Sequence, residues 1–315
     1  MIIIEDKRYI EAHFSNEQEI EDLVINNSEY FFGPSSIFIP KKLIKTKDGF
    51  GTIPDGFAID ITSRIWYIVE AELNHHSLWD HIAPQVTRQI LAVNQPVTRQ
   101  LLTEILIQMI TEDDSIKEKF DDEDIEEIDI RRVINEIFQT PPIIGMPIDE
   151  VSNDLKEWAE TLRNDVRLWI VKKYTQFENP EIIAYNIPEE FRPTVEITQN
   201  ESKDSSIKSY DVTLLDLVED GFLHANQTLL LKYQPRGGNQ HNYEGIVRSD
   251  GTIEVMGSKF STPSYSALFC IQNAGSNRRS VNGWTKWKTE EGSSLFQIRA
   301  DYLNKKKRES MERKD

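Results

Sequence analysis

A chain of 315 residues exceeds the roughly 100–200 residues of one ordinary domain, so two domains are expected, and 38% hydrophobic with 10% aromatic residues is a globular composition. No stretch reaches the roughly 20 uninterrupted apolar residues of a membrane span, and the start, Met1-Ile2-Ile3-Ile4-Glu5-Asp6, lacks the basic residues and apolar run of a signal peptide. A cytoplasmic protein without a membrane partner is therefore expected. The single cysteine, Cys270, excludes an intrachain disulfide and a cysteine-based zinc site, and its apolar setting reads as a buried thiol. The net charge of −17 is unevenly spread: 21 basic against 40 acidic residues over 1–210, 9 against 10 over 211–303, and 6 against 3 over 304–315. Acidity thus does not exclude nucleic acid, because a near-neutral second part and a basic end remain free to approach phosphates.

Ser15-Asn16-Glu17-Gln18 has the form of a capping box, with Ser15 capping and Gln18 reaching back. Ile20, Leu23, Val24 and Phe31 then recur at roughly helical spacing up to the stop signal Gly33-Pro34, with Glu17 and Glu21 beside the stripe. Residues 36–43 (SIFIPKKL) read as a strand broken by Pro40, hence an edge. Residues 55–61 alternate in period two, with Phe57, Ile59 and Ile61 on one face. After a turn, residues 65–69 are almost wholly apolar, as in a strand covered on both sides. Glu70 and Glu72 follow directly, sharing a face by the strand period while Ala71 points away. Burying them is costly unless something pairs their charge. Pro54-Asp55 at the start of one strand and Glu70-Ala71-Glu72 at the end of the next bring three carboxylates to one end of two neighbouring strands. A hard divalent cation needs such donors. His75, His76 and His81 lack the spacing of a helical i, i+4 zinc pair and read as turn and substrate-groove residues.

Residues 78–106 are helical in pattern, with breaks at Pro84 and Pro96. The run 112–129, with eleven acids and two lysines, reads as a solvated helix or loop. A strand at 143–151, an amphipathic helix over 153–174 and a strand at 182–187 complete an α/β or α+β core. The polar stretch NESKDSSIKS at 200–209 is the linker candidate, which divides the chain into 1–198, a linker at 199–210, a second domain at 211–303 and a basic tail at 304–315. In the second domain Ser249-Asp250-Gly251 signals a hairpin, and Ser261-Thr262-Pro263 opens an apolar helix. Asn282-Gly283-Trp284-Thr285-Lys286-Trp287 follows, and the tail with Lys305-Lys306-Lys307-Arg308 is expected to be disordered.

Asp55, Glu70 and Glu72, placed after a helix bearing Glu17 and Glu21, resemble the PD-(D/E)xK phosphodiesterase superfamily over residues 15–195. Pro54-Asp55 matches its Pro-Asp signature, Glu17-Gln18-Glu19-Ile20 its upstream Glu-x-x-Leu, and Glu70 opens its last motif. Glu72 stands where the family's lysine is expected, as in the Glu-x-Glu variant of some type II restriction enzymes. Gln85-Val86-Thr87-Arg88-Gln89 resembles the Gln-x-x-x-Tyr element of RecB-like nucleases, with Gln89 in place of tyrosine. The resemblance implies a restriction endonuclease-like mixed central sheet flanked by helices. It also implies Mg²⁺ or Mn²⁺ held by Asp55, Glu70 and the Ala71 carbonyl, with Glu17, Glu72, Gln85 and Arg88 completing the catalytic set. Arg88 is the candidate to supply the charge that Glu72 does not. The plainer alternative is a structural strand ending in solvent-facing acids.

The second domain resembles the restriction enzyme and adenine methylase associated (RAMA) domain, through Ser249-Asp250-Gly251-Thr252-Ile253, Ser261-Thr262-Pro263-Ser264, Asn282-Gly283-Trp284-x-x-Trp287 and the closing residues 295–299. That family is thought to recognise DNA, including methylated bases. Trp284 and Trp287 offer stacking faces, with the alternative that they are core, and Arg278, Arg279, Lys286 and Lys288 offer phosphate contacts. The expectation is a restriction or antiviral-defence DNA endonuclease whose second domain selects DNA, modified DNA included. The competing expectation is a catalytically silent nuclease fold that reads modified DNA. Double-strand cleavage from one site per chain would call for a homodimer.

Overall fold

The computed structural model describes residues 1–123, 125–187, 212–235 and 238–312; the expected linker at 199–210 lies outside them. The chain separates into two compact units, Met1–Thr198 and Gln199–Asp315. Among the described residues no helix is long and apolar enough to cross a membrane.

Unit 1 opens with a hairpin of β1 (Ile2–Ile4) and β2 (Lys7–Ala12), turned at Glu5 and Asp6, both at positive φ. Helix α1 (Glu17–Asn26) begins one residue later than the capping-box reading predicts. Asn16, not Ser15, caps it by accepting from the Glu19 N–H at 3.1 Å, and Glu19 reaches back to accept from the Ser15 N–H at 2.7 Å. The cap is thus shifted by one residue, and the reach-back goes to the residue before the cap rather than to the cap itself, so the reciprocal box is not formed. Then come α2 (Ser28–Phe32), β3 (Ser36–Pro40), the short pair β4 (Ile44–Lys45) and β5 (Gly51–Thr52), β6 (Gly56–Asp60) and β7 (Ile65–Val69). A π-helical turn over Leu78–Ile82 leads into α3 (Ala83–Val93), α4 (Pro96–Glu112), α5 (Asp114–Asp121) and α6 (Glu127–Gln139). The unit closes with β8 (Ile143–Ile148), α7 (Asn153–Thr161), β9 (Val166–Ile170), β10 (Lys172–Gln176) and β11 (Ile183–Asn186).

The central sheet has the order β3-β6-β7-β8-β9, antiparallel across its first three strands and parallel from β7 onward. Successive side chains point to opposite faces and those of β6 and β7 are apolar in both directions, so the sheet is buried on both sides. Phe57, Ile59, Trp66 and Ile68 face a core shared with α3, α4 and α6, while Ala58, Tyr67 and Val69 face a second core with Ile20, Leu23 and Phe32. Fully burying one such side chain is worth roughly 1.5–3 kcal/mol, so this two-sided sheet anchors the unit. Gly56 suits its place beside β3, because a Cβ there would lie 2.2 Å from the Phe38 ring and 2.9 Å from the Ile39 carbonyl oxygen.

The amphipathic helix predicted over 153–174 is half right. It stops at Thr161, and 166–176 instead form β9 and β10. Val166, Leu168 and Trp169 are all buried, because β9 completes the parallel part of the central sheet. The continuous apolar run belongs to a strand covered on both faces, not to a helical stripe. Strand β10 then joins β2 and β11 in a separate antiparallel sheet, order β1-β2-β10-β11.

Unit 2 comprises α8 (Leu214–Glu219), β12 (Thr228–Tyr233), β13 (His241–Val247), β14 (Ile253–Val255), β15 (Ser258–Phe260), α9 (Pro263–Asn273), α10 (Gly283–Lys286), β16 (Lys288–Thr289) and α11 (Leu295–Glu312). Its strands form an antiparallel sheet in the order β15-β14-β13-β12-β16. Thr262 caps α9 by accepting from the Tyr265 N–H, with Pro263 in the first turn, as the sequence predicts. Residues 305–308, expected to be disordered, lie inside α11. That helix is tied down by buried Leu295 and Tyr302 and by a 2.6 Å ion pair from Lys306 to Asp220.

Candidate metal centre and candidate DNA-binding residues

Strand register assembles the site. Pro40 pairs with Gly56 and Gly56 with Val69, so residues 41, 55 and 70 are the next positions at one end of three adjacent strands. Beyond β7 the chain stays extended, donating from Glu70 N to the Gly145 carbonyl at 3.0 Å and from Glu72 N to the Pro147 carbonyl at 2.9 Å. Helix α1 adds Glu21 from the side. Glu21, Asp55, Glu70 and Glu72 are between 1% and 9% exposed. Carboxylates are seldom buried to this degree unless they are paired or hold a metal.

Each carboxylate is held differently. Asp55 Oδ2 accepts from the Ala71 N–H at 2.9 Å, and Asp55 Oδ1 lies 3.2 Å from Lys41 Nζ, which also stands 2.6 Å from Glu21 Oε2. Glu70 accepts from Gln85 Nε2 at 2.6 Å through one oxygen and from the buried Gln89 amide through the other. Glu72 Oε2 meets His76 Nδ1 at 2.9 Å, while its buried Oε1 has no hydrogen-bond partner among the described residues.

The electrostatics follow from crowding. Burial pushes Asp55 up to about 6, with repulsion from Glu21 added and the Ala71 amide and Lys41 opposing. Burial also drives Glu70 well above the ordinary carboxylate range, reinforced by Asp55 and Glu72 and opposed by Gln89 and Gln85. Glu72 rises to about 8 through burial and the charge of Glu17, partly offset by His81. One lysine faces several acids, so the cluster carries excess negative charge in a low-dielectric setting. The donors at Asp55 and Glu70 suit a divalent cation in kind: both are buried carboxylates, and Gln85 and Gln89 orient Glu70.

The predicted residues divide. Asp55, Glu70, Glu72 and Gln85 come together, with Ala71 contributing its amide to Asp55. Glu17 stands with Glu72 and His76, its Oε1 3.9 Å from His76 Nδ1, and Glu21 is the α1 acid beside Lys41 and Asp55. Arg88 turns back along its own helix, donating from Nε to the Pro84 carbonyl at 3.0 Å in an exposed position. The positive charge beside Asp55 is instead Lys41, which was not predicted. Its signal was the edge strand SIFIPKKL, but only the β3–β6 register places Lys41 opposite Asp55.

In unit 2 the two tryptophans separate. Trp287 is fully buried, and its Nε1–H donates to Ser266 Oγ at 2.9 Å. It is therefore a core residue, a correction to its assignment as a stacking face for DNA. Trp284 is half-buried, with the Arg299 guanidinium 4.2 Å above its ring. Gly283, just before Trp284, is dictated by close approach, since a Cβ would lie 1.9 Å from the Pro263 carbonyl oxygen at the start of α9. Arg279 and Lys288 are exposed, and Arg278 and Lys286 are half-buried. Cys270 is buried, and burial raises its thiol to about 12.

No curated protein matches the chain. Residues 195–308 match the family model described as RAMA, Restriction Enzyme Adenine Methylase Associated, and this match supports a RAMA domain, associated with restriction-modification systems, in the C-terminal part of the chain.

Proposed function

We propose that the protein is a metal-dependent DNA endonuclease of restriction or defence type, in which unit 1 hydrolyses phosphodiester bonds and unit 2 selects DNA, with modified bases among its targets. The observation that carries this reading is the burial of Glu21, Asp55, Glu70 and Glu72 around the end of β7, with Lys41 paired to Glu21 and Asp55. The α1-β3-β6-β7-helix-β8 order and the mixed sheet support a restriction endonuclease-like fold as its frame. Asp55, Glu70 and the carbonyl of Ala71 are the residues that would hold Mg²⁺ or Mn²⁺. Such an ion lowers the pKa of bound water and stabilises charge on a leaving oxygen. Lys41, with a side chain 43% exposed, can reach from Asp55 toward a phosphate or an attacking water, the task that Glu72 cannot perform. Gln85 and Gln89 fix the orientation of Glu70. In unit 2, Trp284, Arg279 and Lys288 remain the residues offered to DNA, with Arg278 and Lys286 at its margin.

The test incubates the protein with methylated and unmethylated duplexes in Mg²⁺ or Mn²⁺, beside Asp55→Asn, Glu70→Gln and Lys41→Ala. Cleavage lost in the first two and weakened in the third supports the reading. DNA binding without cleavage under either metal leaves the competing one, a nuclease-like fold that only reads modified DNA.

A further inference from the structure

We propose that Glu17, Glu72, His76 and His81 form a binding site for a transition-metal dication of the zinc class, distinct in ligand chemistry from the all-oxygen donors around Asp55 and Glu70. One ligand atom from each of these four side chains lies within 4.8 Å of the others. Each arrives from a different piece of backbone. Glu17 is in the first turn of α1, Glu72 extends β7, His76 sits in the following turn and His81 in the π-helical turn. The π-turn is what brings His81 back over Glu72. Its wide winding is marked by the Ile82 N–H donating to the Ser77 carbonyl at 3.3 Å, and such turns recur at functional sites.

The second observation concerns Glu72 itself. It is 1% exposed; one oxygen meets His76 Nδ1 at 2.9 Å, and the other, Oε1, has no hydrogen-bond partner among the described residues and stands 3.9 Å from His81 Nε2. A buried carboxylate oxygen left without a partner is costly. A cation shared by that oxygen, two imidazole nitrogens and Glu17 removes the cost. Two nitrogens with carboxylate oxygens suit zinc and its neighbours, whereas Mg²⁺ keeps to oxygen and water. The spacing of His76 and His81, five residues apart, hides this site from any search for helical i, i+4 pairs. His75 is exposed and outside the group.

The test uses full-length, tag-free, chelator-treated protein titrated calorimetrically with Zn²⁺ alone and, in parallel, with Co²⁺ followed by visible absorption. His76→Gln and His81→Gln are compared with His75→Gln, and thermal melting without metal confirms that each variant folds. The expected result is one Zn²⁺ per chain, at least about tenfold weaker in His76→Gln and His81→Gln and unchanged in His75→Gln, with the Co²⁺ band lost in the same two. No Zn²⁺ uptake by the parent, or uptake indifferent to both substitutions in folded protein, overturns the proposal. Uptake is read without DNA. A protein that binds Zn²⁺ through these histidines yet cuts nothing loses the nuclease reading alone, and one that cuts in Mg²⁺ without taking up Zn²⁺ loses only this one.

Discussion

At the end of β7, unit 1 buries four carboxylates, two of them paired with Lys41, whereas beside α10, unit 2 buries an indole whose single polar atom is satisfied by Ser266. Burying Trp287 removes a large apolar surface from water and leaves nothing unpaired, so it stabilises the fold unaided. Burying Glu70 and Glu72 does the opposite. Both are pushed toward protonation, and Glu72 keeps an unpartnered oxygen. An arrangement that costs stability in the free chain persists where another interaction compensates, which is the physical reason to place function at β7 and structure at Trp287.

The sharpest way to break this contrast is to neutralise the cluster and truncate the indole in parallel. Asp55→Asn or Glu70→Gln should lower cleavage on the order of a thousandfold, about 4 kcal/mol of barrier, while leaving the melting temperature of unit 1 level or higher. Trp287→Ala should act in reverse, costing about 3–5 kcal/mol of stability in denaturant titration of the full chain. If Asp55→Asn unfolds the protein and Trp287→Ala leaves it stable, the two regions have been assigned the wrong way round.

Gly283→Ala probes the same core by overpacking. A Cβ at 1.9 Å from a backbone oxygen cannot be relieved by a rotamer change, so α10 must move away from α9. The expected cost is about 1–3 kcal/mol, with Trp287 fluorescence reporting the disturbance.

Much of this was legible in residue order, and the rest failed for identifiable reasons. The period-two run at 55–61 and the short apolar run at 65–69 gave β6 and β7, and with them Asp55, Glu70 and Glu72, because alternation and a bounded apolar run are local signals. Lys41 was hidden because its partner Asp55 is fixed by cross-strand register, with β4 and β5 intervening in sequence. His81 was singled out with His75 and His76 but set aside as a metal ligand, because a π-turn does not follow the i, i+4 spacing of an ordinary helix. Strand β9 was absorbed into a predicted helix since a strand buried on both faces shows no alternation. Trp287 could not be told from Trp284 by composition; only the fold shows which ring α9 covers.

The smallest effect is the most specific to the cluster, because it asks whether the buried charge is a liability in the metal-free protein. Glu72 is held at about 8 in the folded chain against an ordinary 4.5. Between those values the folded state keeps a proton that the unfolded state releases. The folded state therefore binds more protons, and stability must fall as pH rises across that window, with the penalty absent below about 4.5 and complete above about 8. Asp55, raised from 3.8 to about 6, adds a slope of the same sign at lower pH. Calorimetry on chelated protein should then show unit 1 melting at lower temperature at pH 8 than at pH 5. Glu72→Gln should flatten that difference and raise the pH 8 melting temperature by roughly 2–4 °C, about 1 kcal/mol after the loss of its contact with His76. A carboxylate that merely ended a strand in solvent would show no such slope, so a flat pH profile in the parent protein would remove the argument that the cluster is buried at a cost.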